Sequence, residues 1–220
     1  MATIPAPALP ADIVDAFHRL YYHSLGWDRN HYLGYQIKQC PFDLQVYQEV
    51  VFRLRPRFIL QTGVAGGGSA LFFATLLDLI GMEPGALVIG VDAVLTPEAR
   101  TLNHPRIRLI EGDSVAAPTL RRIESLLPAG GGMVSLDSDH TAGHVTEELR
   151  LYREYVAAGG YLVVEDTNIN GHPVFPAFGP GPMEAVEAFL REDLRFVRDD
   201  EVWERNLFSF HQHGWLKKAG

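Results

Sequence analysis

Hydrophobic and polar residues alternate in blocks along the second half of the chain. Met133–Leu136 and Tyr161–Val164 are short apolar runs, typical of buried strands. Between them four apolar residues recur at the spacing of one helix face: Val145, Leu149, Tyr152 and Val156. A strand, a helix and a second strand of this length form a crossover unit, so the two strands are predicted to be parallel.

The same pattern predicts three earlier strands and further helices. The strands are Phe58–Leu60, Leu87–Val91 and Ile107–Ile110. Helices are predicted at about 68–79, at 119–127 and, opened by Pro182, at about 183–191. Phe196–Val197 and Phe208–Phe210 are predicted to form a closing antiparallel pair of strands. His211 and His213 would then alternate on a strand, and with no partner carboxylate in view they are interpreted as structural.

Two more amphipathic segments precede the first strand. One helix is predicted to run to about His23, and a second from Asp43 to a stop before Pro56. The chain therefore predicts one α/β domain over residues 1–220. Residues 1–10, rich in alanine and proline, form a tail expected to be mobile, and residues 11–56 form an N-terminal helical cap over the active site or at a subunit contact.

Composition narrows the classes of function. The 220 residues are 47% hydrophobic, enough for one substantial core, and the net charge of -8 argues against nucleic acid as a partner. The single cysteine, Cys40, allows no intrachain disulfide and fits a reducing compartment. We find no signal-peptide pattern and no apolar run long enough for a membrane span, so a cytoplasmic protein is expected. We also expect a homo-oligomer.

Acidic residues follow both strands of the central unit. Asp137 and Asp139, with His140, come after the first strand, and Glu165 and Asp166 come after the second. Parallel neighbours end at the same edge of a sheet, which would crowd these carboxylates together. Oxygen ligands of this kind suit Mg²⁺, with Mn²⁺ as the alternative. In the simpler alternative, the aspartates only cap the following helices.

A glycine-rich turn, QTGVAGGGSALFF, follows the first strand. The dinucleotide fingerprint G-x-G-x-x-G is not met, because Ala65 stands where its second glycine would be. Glycines still allow close approach of a ligand, so the polar end of a nucleoside cofactor is predicted to contact four residues here, unless the turn is purely structural. They are Thr62, Gly63, Gly68 and Ser69.

Two later strand ends also offer contacts to a nucleoside. Asp92 ends the second strand and is predicted to accept hydrogen bonds from ribose hydroxyls, the alternative being a turn aspartate. Asp113, with Ser114 beside it, is placed to accept a bond from an adenine amino group. The long segment NINGHPVFPAFGPGP leaves the strand that carries Glu165 and Asp166, and its length predicts a lid or binding loop.

Four blocks together resemble the cephalosporin hydroxylase family, which includes rhamnosyl O-methyltransferases, and more distantly the metal-dependent macrolide sugar O-methyltransferases. They are LQTGVAGGGSALFFA, HPRIRLIEGDS, MVSLDSDH and VVEDTNINGHPVFPAFGPGPMEAVEAFL. The resemblance covers about residues 35–215. It implies a Rossmann-like class I methyltransferase fold, with a seven-stranded, mostly parallel sheet, helices on both faces, and S-adenosylmethionine over the first half.

The resemblance also implies roles for the acidic residues. Asp137 and His140 match a metal ligand and a general base, and Glu165 and Asp166 match the paired acidic ligands on the next strand. The implied reaction is methyl transfer from S-adenosylmethionine to a hydroxyl of a small, sugar-like acceptor, with Mg²⁺ as the ion.

The chain departs from this likeness at two positions, since relatives commonly carry Glu at Gln61 and Arg at Gly66. Gln61 lies in the predicted cofactor site and removes a charge there, which favours the alternative of a partner protein or a non-catalytic cofactor-binding subunit. Oxygen chemistry, which the family name records, ranks low because no 2-His-1-carboxylate pattern is visible.

Overall fold

A computed structural model describes residues 11–220; the tail predicted to be mobile, residues 1–10, lies outside this range. The first part, residues 11–56, is called the cap below. It holds helices α1 (Ala11–His23) and α2 (Pro41–Leu54). Between them lies a small hairpin of β1 (His31–Tyr32) and β2 (Tyr35–Gln36).

The rest of the chain builds one seven-stranded sheet with four helices. The strands are β3 (Phe58–Thr62), β4 (Leu87–Asp92), β5 (Ile107–Glu111), β6 (Gly132–Leu136), β7 (Tyr161–Val164), β8 (Phe196–Arg198) and β9 (Trp215–Lys218). The helices are α3 (Gly68–Leu79), α4 (Ala117–Glu124), α5 (Ala142–Tyr152) and α6 (Pro182–Glu192). The strand order is β5-β4-β3-β6-β7-β9-β8.

The first five strands in that order are parallel, and β9 and β8 are antiparallel additions at one edge. This confirms the predicted seven-stranded, mostly parallel sheet. The chain order reverses between β3 and β6, so β3 has β4 on one side and β6 on the other. Ligands of open α/β sheets bind at such a point, beyond the carboxyl ends of the strands.

Both faces of the sheet are covered by apolar side chains, as the uninterrupted hydrophobic strands predict. One core includes Tyr47 of α2, Phe73 of α3 and Trp215 of β9. The other includes Leu149 of α5 and Phe189 of α6. Within the described residues, no helix has both the length and the apolar character that crossing a membrane requires.

The prediction of a strand at Phe208–Phe210 is wrong, because β8 pairs instead with β9. Phe208 and Phe210 belong to turns and pack against the cap, where the ring of Phe208 meets Phe17 edge-on at 5.3 Å and the ring of Phe210 stacks on His18 at 5.6 Å. Alternating aromatic residues resemble a strand pattern. Here they bury their rings between the cap and the sheet.

Backbone geometry requires glycine at position 63, in the turn after β3. Its φ is +75°, and a Cβ added there would overlap the backbone carbonyl of Asp137 on the neighbouring strand. We expect Gly63→Ala to destabilise the fold by about 3 kcal/mol or more, through strain and displacement of β6. Urea unfolding followed by circular dichroism measures this effect.

Gly143→Ala is the matched control. Gly143 lies in α5, and a Cβ there would meet nothing within 4 Å. This variant should be neutral or up to about 1 kcal/mol more stable, because alanine favours a helix. Equal unfolding midpoints for the two variants would contradict the requirement for glycine at position 63.

Candidate active site

A cavity of about 770 Å³ lies where β3, β4, β5, β6 and β7 end. Residues that follow all five strands line it, among them Gly63, Asp92, Asp113, Asp137 and Asp166. Its volume falls in the range usual for cofactor and substrate sites. The sheet therefore brings the predicted metal residues and part of the predicted cofactor site into one space.

One group of side chains in this cavity could share a metal ion, and it is called the metal group below. It consists of Asp137, His140 and Asp166. One ligand atom from each lies within 4.8 Å of the others, and His140 Nε2 lies 3.3 Å from Asp166 Oδ2. Asp137 follows β6, and Asp166 follows β7 with a left-handed backbone φ of +52°. Two carboxylates and one imidazole suit a divalent ion such as Mn²⁺ or, with water completing the shell, Mg²⁺.

The electrostatics of Asp137 also fit a cation. Burial raises the pKa of Asp137 well above its ordinary value, and the carboxylates of Glu165 and Asp166 raise it further. Carboxylates held this close together either take up protons or are neutralised by a positive charge. The donor set thus has the geometry and the charge to hold a divalent ion.

Glu165 occupies a different position from the other predicted ligands. Its carboxylate is 1% exposed, accepts a hydrogen bond from the Tyr47 hydroxyl at 2.7 Å, and also accepts bonds from Ser135 and Gln39. Glu165 therefore faces the interior, whereas Asp166 lines the cavity. The structure therefore places His140, rather than Glu165, in the three-residue group, and Glu165 as a ligand stays a prediction.

A buried network behind Glu165 was missed by sequence reasoning. The side-chain nitrogen of Gln39 lies 3.4 Å from Asp137 Oδ2 and bonds Glu165, while its oxygen lies 3.2 Å from His211 Nε2. His211 Nδ1 accepts the backbone N–H of Asp166 at 3.2 Å, which assigns the proton to Nε2. The network joins the cap and the C-terminal turns to both metal-site aspartates.

Neither C-terminal histidine lies on a strand, contrary to the prediction, and both have carboxylate partners. His211 Nε2 is 3.3 Å from Glu165 Oε2 and 3.8 Å from Asp43 Oδ2. His213 Nδ1 is 2.9 Å from Asp200 Oδ1. These partners are distant in sequence, so no local pattern could have indicated them.

Four of the predicted cofactor residues line the cavity: Gly63, Asp92, Asp113 and Ser114. Asp92 Oδ2 accepts the backbone N–H groups of Val64 and Ala65, each at 2.9 Å, so this carboxylate also fixes the turn after β3. Each carboxylate oxygen can accept more than one bond, which leaves room for a ribose hydroxyl.

The other four predicted cofactor residues are engaged by the protein. Gln61, Thr62, Gly68 and Ser69 are buried beneath the turn. Gln61 Nε2 donates to the carbonyl of Gly63 at 3.0 Å and to Ser69 Oγ at 2.8 Å, and Thr62 Oγ1 accepts the Asp137 N–H at 3.3 Å. A Cβ on Gly68 would lie 2.5 Å from the carbonyl oxygen of Gln36 in the cap. Gly68 therefore accommodates the hairpin of the cap.

One polar atom beneath the turn has no protein partner. Gln61 Oε1 is buried and has no hydrogen bond within residues 11–220. Buried acceptors are normally satisfied, so this oxygen is available to a donor from a ligand or a water. A nucleoside cofactor that carries an ammonium group supplies such a donor, and the turn in this respect fits the predicted cofactor.

The cap reaches the cavity on its metal side. Trp27 and Lys38 line the cavity directly. Burial and then the Asp166 carboxylate raise the pKa of Tyr22 to about 12, which reflects the nearness of α1 to the metal group. The cap therefore contributes to the wall of the cavity that contains Asp137 and Asp166.

The predicted lid, residues 168–182, is held at its base by Glu184 of α6. This carboxylate accepts bonds from Gly181 N at 2.7 Å, His172 Nε2 at 2.9 Å and Asn170 Nδ2 at 3.0 Å. Burial raises the pKa of Glu184, but the three donors outweigh it and lower the pKa to about 2, from an ordinary value of 4.5.

We expect Glu184→Gln to lower stability by about 1–2 kcal/mol at pH 7, because glutamine directs a donor at groups that already donate. A depressed carboxyl pKa adds stability that is present above about pH 4.5 and lost as the pH falls toward 2. The difference in urea midpoint from the unmodified protein should therefore narrow between pH 6 and pH 3. Glu187→Gln, on the exposed face of the same helix, should show no such difference.

Comparison with known proteins gives consistent matches over most of the chain. A family model described as Rhamnosyl O-methyltransferase/CmcI matches residues 25–219. The chain is 38% identical over 213 residues to a rhamnosyl O-methyltransferase of Mycobacterium leprae (strain TN), covering 94% of this chain and 91% of that protein. It is 39% identical over 188 residues to one of Mycobacterium tuberculosis (strain ATCC 25618 / H37Rv), covering 83% and 76%.

Solved structures share the fold at lower sequence identity. A structure of cmcI with Mg and SAM superposes with a TM-score of 0.66 at 20% identity, covering 100% of this chain and 89% of that one. The O-methyltransferase from Bacillus cereus in complex with SAH gives a TM-score of 0.57 at 16% identity, covering 88% and 85%.

Proposed function

Because the chain belongs to the Rhamnosyl O-methyltransferase/CmcI family, we propose that it transfers a methyl group from S-adenosylmethionine to a hydroxyl of a sugar. A divalent ion, Mg²⁺ first, would be held by Asp137 and Asp166. The main support for this proposal is that the metal group lies in the same cavity as Gly63 and Asp92.

The chain's residues divide the work of this reaction. An ion held by Asp137 and Asp166 would supply positive charge that lowers the pKa of a nearby hydroxyl. His140 accepts the hydroxyl proton at Nε2. The acceptor oxygen then forms a bond to the methyl carbon as the carbon–sulfur bond breaks, and the electron pair of that bond neutralises the sulfonium. Positioning of both substrates in the cavity contributes the larger part of the rate.

Glu165 and Gln39 support this arrangement from behind. Gln39 contacts Asp137 on one side and Glu165 on the other, so the two carboxylates are held by a single amide. If Glu165 joins the ligand set, its carboxylate must lose the hydrogen bond from Tyr47 or the one from Ser135. Its place beside Asp137 supports either a direct or an indirect role.

A non-catalytic subunit is the less favoured reading. The argument for it was Gln61, yet the amide of this residue donates to the carbonyl of Gly63 and so supports the turn after β3. Oxygen chemistry is also disfavoured, since the metal group holds one histidine and two carboxylates. A cytoplasmic location and a homo-oligomer stay predictions.

Two measurements test the proposed function. Calorimetry with S-adenosylmethionine should give a dissociation constant in the micromolar range, on the order of the KM values of typical enzymes. Methyl transfer from labelled S-adenosylmethionine to methyl α-L-rhamnopyranoside should be abolished by EDTA and restored by Mg²⁺. Absence of cofactor binding, or transfer that continues in EDTA, would contradict the proposal.

A further inference from the structure

Part of the large cavity is used by neither the cofactor residues nor the metal group. Trp27 and Lys38 line it from the cap, and neither contacts a residue of the metal group or of the predicted cofactor site by a hydrogen bond. The cap segment that carries them leads directly to Gln39, which contacts Asp137. These two side chains therefore border the same cavity as the metal group.

Trp27 is held in one orientation by three contacts. Its Nε1 donates to the carbonyl of Tyr22 at 2.9 Å, its ring stacks on the Tyr22 ring at 5.5 Å and 28°, and Phe210 meets it edge-on at 5.6 Å. One face of the indole is thus covered and its polar edge is satisfied. The residue is nevertheless only partly buried and lines the cavity, so it presents apolar ring surface there.

Lys38 adds charge to the wall of the same cavity, and Asp28 forms an ion pair with it. Lys38 Nζ lies 3.0 Å from Asp28 Oδ1, and their side chains are 45% and 37% exposed. An ammonium group beside a carboxylate offers both donors and acceptors to hydroxyl groups. A flat apolar ring next to such a pair matches a pyranose, which has an apolar face of C–H groups and hydroxyls around its edge.

We propose that Trp27 and Lys38 form the acceptor subsite, in which the indole packs on the C–H face of a pyranose ring and the Lys38–Asp28 pair bonds its hydroxyls. The sugar is then held between the cap and the metal group, with one hydroxyl directed toward Asp137 and His140. This inference rests on the proposed function for the choice of sugar, and on the cap geometry for the residues.

Kinetics of substituted protein test the subsite. With methyl α-L-rhamnopyranoside as acceptor, Trp27→Ala should raise the acceptor KM about tenfold or more, while the KM of S-adenosylmethionine changes less than about twofold. Trp27→Tyr, which keeps an aromatic face, should recover most of the loss. Lys38→Ala should raise the acceptor KM about threefold, and it removes only an exposed ion pair, so the fold is preserved.

Lys217→Ala is the matched control for the lysine. Its side chain is 47% exposed and it lies 4.0 Å from Asp199, away from the cavity. In this variant the KM of the acceptor and the KM of S-adenosylmethionine should both be unchanged. An acceptor KM that stays within twofold in folded Trp27→Ala and in Lys38→Ala would overturn the subsite.

Fluorescence provides a readout that is independent of turnover. Of the three tryptophans, Trp203 and Trp215 are buried at 8% and 0% exposure, and Trp27 alone lines the cavity. In the presence of Mg²⁺ and S-adenosylhomocysteine, titration with the rhamnoside should change the emission saturably. The change should vanish in Trp27→Phe and persist in Trp203→Phe.

The two proposals fail in different ways. Protein that binds cofactor and Mg²⁺ but methylates no glycoside contradicts the proposed function, and the emission titration still decides the subsite. Emission that does not respond to the sugar in the unmodified protein, or that responds equally in Trp27→Phe, overturns the subsite even where methyl transfer proceeds.

Discussion

Asp166→Asn is expected to lower kcat at least about a thousandfold, on the order of 4 kcal/mol of transition-state stabilisation, while the Kd of S-adenosylmethionine changes less than about twofold. The amide removes one of the two negative charges in the metal group. Asparagine tolerates the left-handed backbone at this position, where φ is +52°, so the fold should be kept. Cofactor binding is preserved because Asp92 and Asp113 lie at other strand ends.

Initial rates at saturating cofactor and Mg²⁺, with calorimetry for each ligand, measure the two effects separately. Asp139→Asn is the matched control, because Asp139 lines the same cavity but lies outside the metal group, and its carboxylate accepts the Thr141 N–H at 2.7 Å. It should keep its activity within about threefold and lose no more than about 1 kcal/mol of stability. Full activity in Asp166→Asn would remove Asp166 from the ligand set.

The central sheet could be predicted from the sequence because its strands are buried on both faces. Met133–Leu136 and Tyr161–Val164 are apolar without interruption, and the strands of the structure cover both. Parallel pairing of these strands then places Asp137 and Asp166 at one edge of the sheet. The α3 helix also starts and ends where its pattern predicted, at Gly68 and Leu79.

The edge of the sheet was harder to predict, because aromatic residues at Phe208 and Phe210 alternate as a strand does. Their rings instead fill the junction between the cap and the sheet. The four-residue helical pattern that ends at Val156 was also too long. The helix ends at Tyr152, and Val156 follows a 3₁₀ turn while staying buried in the same core.

Two features of the site depend on contacts between residues far apart in sequence, which no local sequence pattern can predict. His211 meets Gln39 across 172 positions of sequence, and Gly68 meets Gln36 of the cap. The glycine turn is therefore shaped by the cap as much as by a ligand. Sequence reasoning identified residues at strand ends but not the side chains that hold them, since those come from the cap and the C-terminal turns.

The position of His140 allows two roles, metal ligand or general base, and one variant distinguishes them. His140 lies in the group that can share an ion, yet its Nε2 also lies 3.3 Å from Asp166, where it can take a proton from the acceptor. Mg²⁺ prefers oxygen ligands and binds imidazole weakly. We therefore expect His140 to act as the general base and the carboxylates to hold the ion.

His140→Ala should then lower kcat about 100- to 10,000-fold, the usual contribution of a general base, while the Kd of Mg²⁺ changes less than about threefold. Added imidazole should restore part of the rate, because a free base can enter the space that the side chain leaves. Calorimetry with Mg²⁺ in the presence of S-adenosylhomocysteine measures the binding constant. A Kd of Mg²⁺ that rises tenfold or more, with no rescue by imidazole, would instead make His140 a ligand. Loss of a ligand weakens binding of the ion, whereas loss of a general base does not.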